Sequence, residues 1–413
     1  MFKELRNSKM MVFFLAFFAY FCFYLCRTNI PYVSKTLIDI GLLDFNKWGG
    51  LVTYGSIVYG LSKGLSGALA DKFDLKKILL FGLGATTIIN FIVPSLKSSV
   101  AFIVVWVINQ FVQGMAYTSC VKTLLNWYGS DKKNKAYTYW SASHRLGTSA
   151  AGLIATVCIA HAYWQGAFIV PAAITGVMFV FIGLFYKQRP DNFVQLKNHE
   201  ILQPTFKEIC KYILTNRNLL ILAITSMGIY YAYFFILNWL VIFFTDHGFS
   251  ITKSTGLLSL LPLLGCFGGI TSGYVIDGVF KGRILPVIAI PLVVIIILLA
   301  FVYFGVATLS ITWLIFLMLL LGFFTDIPQI LGSLASTNFV TKQFQGSALG
   351  FVGICHYTGA SLMGFLTAHT KPYYGWGVPF IITIAFILFS LLGCVVLFNQ
   401  EKIALKKIKN MEM

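Results

Sequence analysis

The chain contains about twelve apolar runs, each long enough to form a helix across a membrane. A bilayer core about 30 Å thick requires about 20 apolar residues in a spanning helix. Lipid offers no hydrogen-bond partners to backbone groups, and the runs do not alternate as barrel strands do, so we expect helices. The predicted spans are 10–33, 48–70, 77–95, 100–124, 136–161, 164–186, 219–243, 254–277, 283–305, 310–336, 346–368 and 375–399.

The composition argues against a water-soluble enzyme. Charged residues make up 11 % of the 413 residues and hydrophobic residues 58 %, whereas a soluble domain carries about 25 % charged residues. The sequence has no Walker loop, zinc motif or nucleophile elbow, which argues against ATP-driven transport and enzymatic catalysis. The eight cysteines have no metal-ligand spacing, so we expect neither a metal nor a cofactor.

Basic residues outnumber acidic ones by 31 to 14, and they concentrate in alternate loops. With both termini in the cytosol, 22 Lys and Arg residues fall in inner segments and five in outer loops. The positive-inside rule therefore predicts a multi-pass protein of the inner (cytoplasmic) membrane with both termini cytosolic. The basic inner loops explain the formal charge of +17. We therefore expect the lipid bilayer as a partner and no nucleic acid.

One long basic segment separates six predicted spans from six. We predict an N-terminal six-helix bundle over 1–186, a cytosolic basic linker over 187–218, and a C-terminal six-helix bundle with a short cytosolic tail over 219–413. The predicted fold class is therefore an all-α membrane protein with twelve transmembrane helices in two six-helix pseudo-repeats.

The two halves share a loop pattern in which a glycine, an aspartate four residues later and then basic residues follow a span. Gly67 and Asp71 follow the second span; Gly273 and Asp277, with Arg283, follow the eighth. Two copies 206 residues apart indicate parallel six-helix repeats. We expect the glycines to allow close helix approach. The charged residues would then hold the inner helix ends together in one of two rocking states.

The loop pattern resembles the signature of the major facilitator superfamily, and the resemblance covers nearly the whole chain. Closer similarity, to the organophosphate:phosphate antiporters, lies in the first half. That group includes glycerol-phosphate and hexose-phosphate carriers and a sugar-phosphate sensor, and the resemblance implies a monomer. The segments that carry it are Tyr24-Leu-Cys-Arg27-Thr-Asn29, Tyr59-Gly-Leu-Ser-Lys63, Gln113-Gly-Met-Ala-Tyr-Thr-Ser-Cys120 and Trp140-Ser-Ala-Ser-His144-Arg-Leu-Gly147.

The resemblance implies that Arg27 contacts a substrate phosphate, that Lys63 lies near the cavity, and that His144 assists phosphate binding. The residues themselves fit these roles, because a planar guanidinium binds phosphate or carboxylate bidentately. Tyr24 precedes Arg27 by three residues and Tyr59 precedes Lys63 by four, which places each phenol beside its cation on one helix face. Three alternatives stay open: Arg27 snorkels to the outer interface, Lys63 pairs with a carboxylate, or His144 only packs.

The seventh span departs from the antiporter pattern. Tyr233 occupies the position of the second phosphate-binding arginine, no Arg or Lys occurs in 219–243, and Thr118-Ser119 replaces a Pro-Pro pair in the fourth span. We expect Tyr230, Tyr233 and Asn238 to line the second half of the cavity. A packing or lipid-facing aromatic face is an equal alternative.

Two ionisable residues of the second half lie near the middle of their predicted spans. Asp326 lies in the tenth span and His356 in the eleventh. Charged groups inside a membrane are costly, so such residues are candidates for function. Either they form a proton-coupling pair, or Asp326 neutralises Arg27 or Lys63 when the cavity is empty.

Together these expectations favour a secondary active transporter, not an enzyme, that moves a small organic anion by alternating access. The substrate is of organophosphate type by resemblance. A second hypothesis is a proton-coupled carrier of a polycarboxylate, such as a citrate-type metal chelator, because one arginine is replaced. A third is a transporter-like membrane receptor that senses a sugar phosphate.

Overall fold

The computed structural model describes residues 8–190, 205–341 and 344–412, and the regular structure of those residues is helical. Short 3-10 turns lie at Val93–Ser95 and Ala335–Phe339. The described residues form fourteen α-helices: α1 (Lys9–Leu25), α2 (Ile30–Asp39), α3 (Phe45–Lys72), α4 (Leu75–Ile92), α5 (Ser99–Gly114), α6 (Ala116–Ala160), α7 (Gly166–Phe185), α8 (Phe206–Thr215), α9 (Arg217–Asp246), α10 (Ile251–Gly278), α11 (Leu285–Gly305), α12 (Ile311–Leu334), α13 (Gln345–Tyr374) and α14 (Gly377–Glu412).

Ten helical segments of the described residues are long and apolar enough to cross a membrane. The remaining two predicted spans, 48–70 and 136–161, coincide with α3 and with the C-terminal part of α6. The protein is therefore an all-α, multi-pass membrane protein, as the apolar runs predicted.

The first predicted span, 10–33, is not a single helix. Helix α1 ends at Leu25, residues 26–29 are non-helical, and α2 begins at Ile30. Pro31 lies at the start of α2, and a proline disrupts the turn before it because it lacks an N–H and clashes with the carbonyl four residues earlier. The prediction of one continuous helix was wrong at this position.

Helix α6 contains two arms that run in opposite directions. Helical hydrogen bonding extends from Ala116 to Ala160, yet the rings of Tyr117 and Trp140 lie 5.9 Å apart. A straight helix would separate these two residues by about 34 Å at 1.5 Å per residue. The chain therefore reverses between them, as the predicted fourth and fifth spans require.

The predicted linker, 187–218, contains a helix. Helix α8 begins after a capping box, in which Thr205 and Glu208 each bond to the other's backbone N–H. The Thr205 backbone N–H and hydroxyl lower the pKa of the Glu208 carboxyl below its usual value because they stabilise the charged form. Residues 191–204 of the predicted linker lie outside the described part of the chain.

The chain divides into two compact units, Met1–Gln195 with Asn238–Leu263, and Leu196–Leu237 with Leu264–Met413. In the first unit, α1 packs against α6, α3 against α5, and α4 against α7. In the second unit, α11 packs against α12 and α14. We predicted instead that the two six-helix bundles meet at the basic linker, 187–218. That boundary stays a prediction.

The N-terminus of α4, in the first unit, receives a polar side chain from the residues after α7. The backbone N–H of Leu75 donates to Oε1 of Gln188 at 2.9 Å. Asn126 donates to the carbonyl oxygen of Gln188 at 3.1 Å. The first bond satisfies the N–H of Leu75, which has no partner within its own helix. The second bond holds the backbone of Gln188 in place.

The second unit satisfies the N-terminus of α11 in the same way. The backbone N–H of Ile284 donates to Oε1 of the fully buried Glu401 at 2.8 Å, and Asn338 donates to the same oxygen at 3.0 Å. Glu401 follows Gln188 by 213 residues and Asn338 follows Asn126 by 212. The repeat that the loop motifs predicted is therefore also present in side-chain contacts.

Replacing Glu401 by alanine should lower the free energy of unfolding by about 1–3 kcal/mol, the cost of leaving buried donors unsatisfied. The change removes the acceptor for Ile284 and Asn338 and the negative charge at the N-terminus of α11. Thermal unfolding in detergent measures the loss, and the exposed neighbour in Lys402→Ala is the control. Equal melting temperatures for the two variants would contradict the assigned role of Glu401.

Candidate functional site

Arg27 lies in the break between α1 and α2, where its guanidinium packs against two tyrosine rings. The guanidinium carbon lies 3.9 Å from the ring centroid of Tyr24 and 4.3 Å from that of Tyr59. Both distances are within the range of cation–π attraction. Arg27 is half-buried and Tyr59 is buried, so the guanidinium is fixed by aromatic faces without being enclosed.

Lys63 lies on α3, one helical turn after Tyr59. Its ammonium nitrogen lies 4.8 Å from the ring centroid of Tyr117, at the start of α6. Lys63 is half-buried, like Arg27, and the ring of Tyr59 on which that arginine packs lies on the same helix as Lys63. The structure thus brings together the first two predicted site residues.

His144, on the second arm of α6, joins the same group through two tyrosines of α1. Its ring centroid lies 5.1 Å from that of Tyr24 and 6.2 Å from that of Tyr20. Tyr20 in turn stacks on Trp140 with ring centroids 4.5 Å apart, and Trp140 donates through its indole nitrogen to the carbonyl of Ala16. These contacts fix the side of the helix on which His144 lies.

The first unit therefore has one cluster of basic groups within an aromatic framework. We call it the Arg27 cluster, and it contains Arg27, Lys63, His144, Tyr20, Tyr24, Tyr59, Tyr117 and Trp140. All three basic residues are half-buried, whereas Tyr20, Tyr59 and Trp140 are buried. The aromatic rings hold the guanidinium of Arg27 and the ammonium of Lys63 in place. These partly accessible cations can bind a phosphate or carboxylate group by charge-assisted hydrogen bonds.

Close contact between α6 and α1 depends on Gly147, three residues after His144. A Cβ atom at this position would lie 2.5 Å from the carbonyl oxygen of Phe21 and 2.9 Å from Cβ of Tyr24. The glycine therefore allows the two backbones to touch where His144 meets Tyr24.

The second unit repeats this arrangement with other residues. His356, on α13, stacks on Tyr230 of α9 with ring centroids 3.7 Å apart and planes at 7°. A Cβ at Gly359, three residues later, would lie 2.1 Å from the carbonyl oxygen of Met227. His356 follows His144 by 212 residues, and Tyr230 follows Tyr24 by 206. The two histidine–tyrosine contacts are thus related by the internal repeat.

Further polar groups surround Tyr230 and His356. Gln329 donates to the hydroxyl of Tyr230 at 2.9 Å, and Nδ1 of His356 lies 3.4 Å from the hydroxyl of Ser333. Tyr233, which is also buried, has its ring centroid 6.2 Å from that of Tyr230. Of the predicted second-half residues, the structure therefore groups Tyr230, Tyr233 and His356, while Asn238 is buried in the first unit.

The family model of the Major Facilitator Superfamily matches residues 12–363. The chain belongs to the major facilitator superfamily. A solved structure of a bacterial homologue of the human lysosomal transporter Spinster has the same fold, with a TM-score of 0.78 at 13 % identity. The match covers 96 % of this chain and 98 % of that chain.

Two curated relatives are similar over most of their length. A probable hexose phosphate transport protein of Chlamydia muridarum is 27 % identical, covering 98 % of this chain and 94 % of the relative. The membrane sensor protein UhpC of Escherichia coli is 26 % identical, covering 88 % and 86 %. They confirm the resemblance to the organophosphate:phosphate antiporter group within the superfamily, and neither relative is named as an enzyme.

The structure describes the side chains of the second glycine–aspartate loop motif but not those of the first. The backbone of Gly67 and Asp71 is helical, but the structure does not describe their side chains. A Cβ at Gly273 would meet no described atom within 4 Å, and Asp277 is exposed. The predicted close approach at Gly273 is therefore absent here, because no described neighbour packs on that face of α10.

Arg283 makes a contact that the motif alone did not predict. Its guanidinium donates to the carbonyl of Phe398 at 3.0 Å and lies 3.9 Å from the ring centroid of the same residue. In the first unit, Lys76 donates to the carbonyl of Gly183 at 2.7 Å. Each half thus joins the basic end of its motif to its last spanning helix.

Asp326, on α12, is fully buried in the second unit. A Cβ at Gly265 of α10 would overlap Oδ2 and Cγ of Asp326, so the absence of a side chain at Gly265 provides the space that Asp326 occupies. No group of three or more His, Cys, Asp or Glu residues that could bind a metal occurs in the described part of the chain.

Sequence reasoning missed three buried amides that surround the backbone just before Arg27: Asn90, Asn109 and Gln113. A usable signal was present, since each is a polar side chain within a predicted apolar span. Their contacts with the first helix could not be read from the sequence, because no spacing rule relates the three predicted spans involved.

Proposed function

We propose that this protein is a secondary transporter of a small organic anion of organophosphate type, and that the Arg27 cluster binds the anionic group. The single observation that carries the proposal is the grouping of Arg27, Lys63 and His144 by a connected set of aromatic rings. Ionisable side chains within membrane-spanning segments are costly, and such residues mark substrate pathways.

The relatives support an organophosphate as the substrate class. One is named as a probable hexose phosphate transport protein, and another, of Bacillus subtilis, as a glycerol-3-phosphate transporter at 25 % identity. Phosphate presents several anionic oxygens, which the guanidinium of Arg27 can bind in a bidentate way. Tyrosine rings beside it provide faces for the uncharged part of such a molecule.

Purified protein in phosphate-loaded proteoliposomes should take up labelled glucose 6-phosphate in exchange for phosphate. Protein-free vesicles and vesicles without internal phosphate are the controls, and labelled glucose tests the need for the anionic group. Glucose uptake equal to that of its phosphate ester would contradict the proposal.

A sensor is the second candidate, because the chain is 26 % identical to a protein named as a membrane sensor. A sensor would bind the phosphate ester without moving it. A rise in melting temperature with glucose 6-phosphate, without any uptake, would favour the sensor.

A proton-coupled polycarboxylate carrier is the third candidate, and the buried carboxylate of Asp326 favours it. If Asp326 carries the proton, Asp326→Asn should abolish citrate accumulation driven by a pH gradient while citrate exchange continues. The exposed aspartate in Asp246→Asn is the matched control. Accumulation by Asp326→Asn at the rate of the control would exclude Asp326 as the proton carrier.

We also propose that the protein acts as a monomer, by alternating access between its two six-helix bundles, with both termini in the cytosol. The excess of basic residues in the predicted inner segments supports this orientation. Labelling of single cysteines introduced at Lys47 and Lys402 from the outside of intact cells tests it, since only the first should react.

A further inference from the structure

The break between α1 and α2 places polar backbone groups inside a membrane-spanning segment. Residues 26–29 are non-helical, so their peptide groups cannot all be bonded within a helix. Buried peptide groups need partners, because leaving one unsatisfied in apolar surroundings is costly. The identity of these partners determines how firmly the break is fixed.

Three side-chain amides converge on a single carbonyl at the break, that of Cys26. Asn90 of α4 donates to this oxygen at 3.3 Å, Asn109 of α5 at 3.2 Å, and Gln113 of α5 at 3.3 Å. All three side chains are buried, with exposed fractions of 0 %, 0 % and 2 %. Amides of two other helices therefore satisfy a backbone group in the break.

A second set of bonds connects these amides to one another and to α7. Asn29, also in the break, donates to Oδ1 of Asn90 at 3.1 Å and to the carbonyl of Ala167 at 3.0 Å. Gln113 donates to Oδ1 of Asn109 at 3.3 Å. The thiol of Cys26 lies 3.1 Å from the hydroxyl of Thr175. The break is thus bonded to α4, α5 and α7 of the same unit.

We propose that Asn90 and Asn109, with Gln113, are positioning residues for Arg27. The carbonyl that they bind belongs to the residue immediately before Arg27, so it determines where the guanidinium meets Tyr24 and Tyr59. This inference rests on the proposed function, in which Arg27 binds the anionic group. The amides need not contact the substrate; they act through the backbone.

The test uses Asn109→Leu and Asn90→Leu, which keep the number of side-chain heavy atoms. Each removes an amide donor to Cys26 together with an Oδ1 acceptor, for Gln113 and Asn29 respectively. Gln113→Met is a milder variant in case either of these fails to fold. Uptake of labelled glucose 6-phosphate into phosphate-loaded proteoliposomes should fall at least about tenfold, as for a lost buried hydrogen bond. The matched control is Thr123→Val, which removes a fully buried hydroxyl that is not a donor to Cys26.

A second measurement reports on the break itself. Cys26 is fully buried, so its modification by N-ethylmaleimide, followed by peptide mass spectrometry, should be slow in the wild type and in Thr123→Val. In the amide variants the break loosens, and we expect Cys26 to react at least about tenfold faster. Loss of uptake together with faster reaction supports the positioning role.

Unchanged uptake in the amide variants overturns the proposal, and so does lost uptake with Cys26 protected as in the wild type. If the wild type takes up no phosphate ester, the proposed function fails instead. In that case unchanged protection of Cys26 in the variants still overturns the inference, and increased reactivity still supports the bonding of the break.

Discussion

Arg27→Lys should reduce uptake of a phosphate ester by about 10- to 100-fold, because a charge-assisted hydrogen bond contributes about 1.5–3 kcal/mol. Lysine retains the positive charge but loses the planar fork that binds two oxygens at once. It also loses the flat face that packs on the rings of Tyr24 and Tyr59, at 3.9 and 4.3 Å.

The measurement is exchange of labelled glucose 6-phosphate in phosphate-loaded proteoliposomes, with melting temperature in detergent as a check on folding. The control is Arg217→Lys, at an exposed arginine at the start of α9. Wild-type uptake by Arg27→Lys would remove Arg27 from the binding site, and a melting temperature far below that of the control would assign it a structural role.

Gly147→Ala and Gly359→Ala should each lower the melting temperature by roughly 2 °C or more, since overpacking costs about 1–3 kcal/mol. The added methyl groups would lie 2.5 Å and 2.1 Å from backbone carbonyl oxygens. A backbone group cannot rotate away as a side chain can, so the helices must separate. In Gly147→Ala this movement also displaces His144 from Tyr24, and uptake should fall with stability.

Gly64→Ala is the matched control, because a Cβ there would meet no described atom within 4 Å. Alanine is favoured over glycine in a helix by up to about 1 kcal/mol, so this variant should be as stable as the wild type or more stable. If all three alanine variants melt at the same temperature, close backbone contact at Gly147 and Gly359 is not required.

The fold could be predicted from the sequence because apolar length is a direct physical requirement of the bilayer. The predicted spans fall on observed helices from α1 to α14. The break after Leu25 was missed, since Pro31 lies within an otherwise apolar run and a proline is tolerated in many spanning helices. The helix in the predicted linker was missed because its residues were interpreted only by their charge.

Of the candidate site, the sequence predicted the ionisable residues but not the groups that hold them in place. Arg27, Lys63 and His144 are conspicuous in apolar surroundings, and the structure groups them. The groups that fix them are uncharged: tyrosine rings, one glycine and three amides. Such residues are common in membrane helices, and their importance depends on contacts between helices that sequence spacing does not specify.

The paired histidine–tyrosine contacts have a consequence for how substrate preference can diverge. Both halves have this histidine–tyrosine contact, but Arg27 in the first half corresponds to Tyr233 in the second, 206 residues later. At this position of the repeat, the permanent positive charge is therefore present in the first half and not in the second. If the Arg27 cluster binds the anion as proposed, mutations around Tyr230 and Tyr233 should leave recognition of the anion intact.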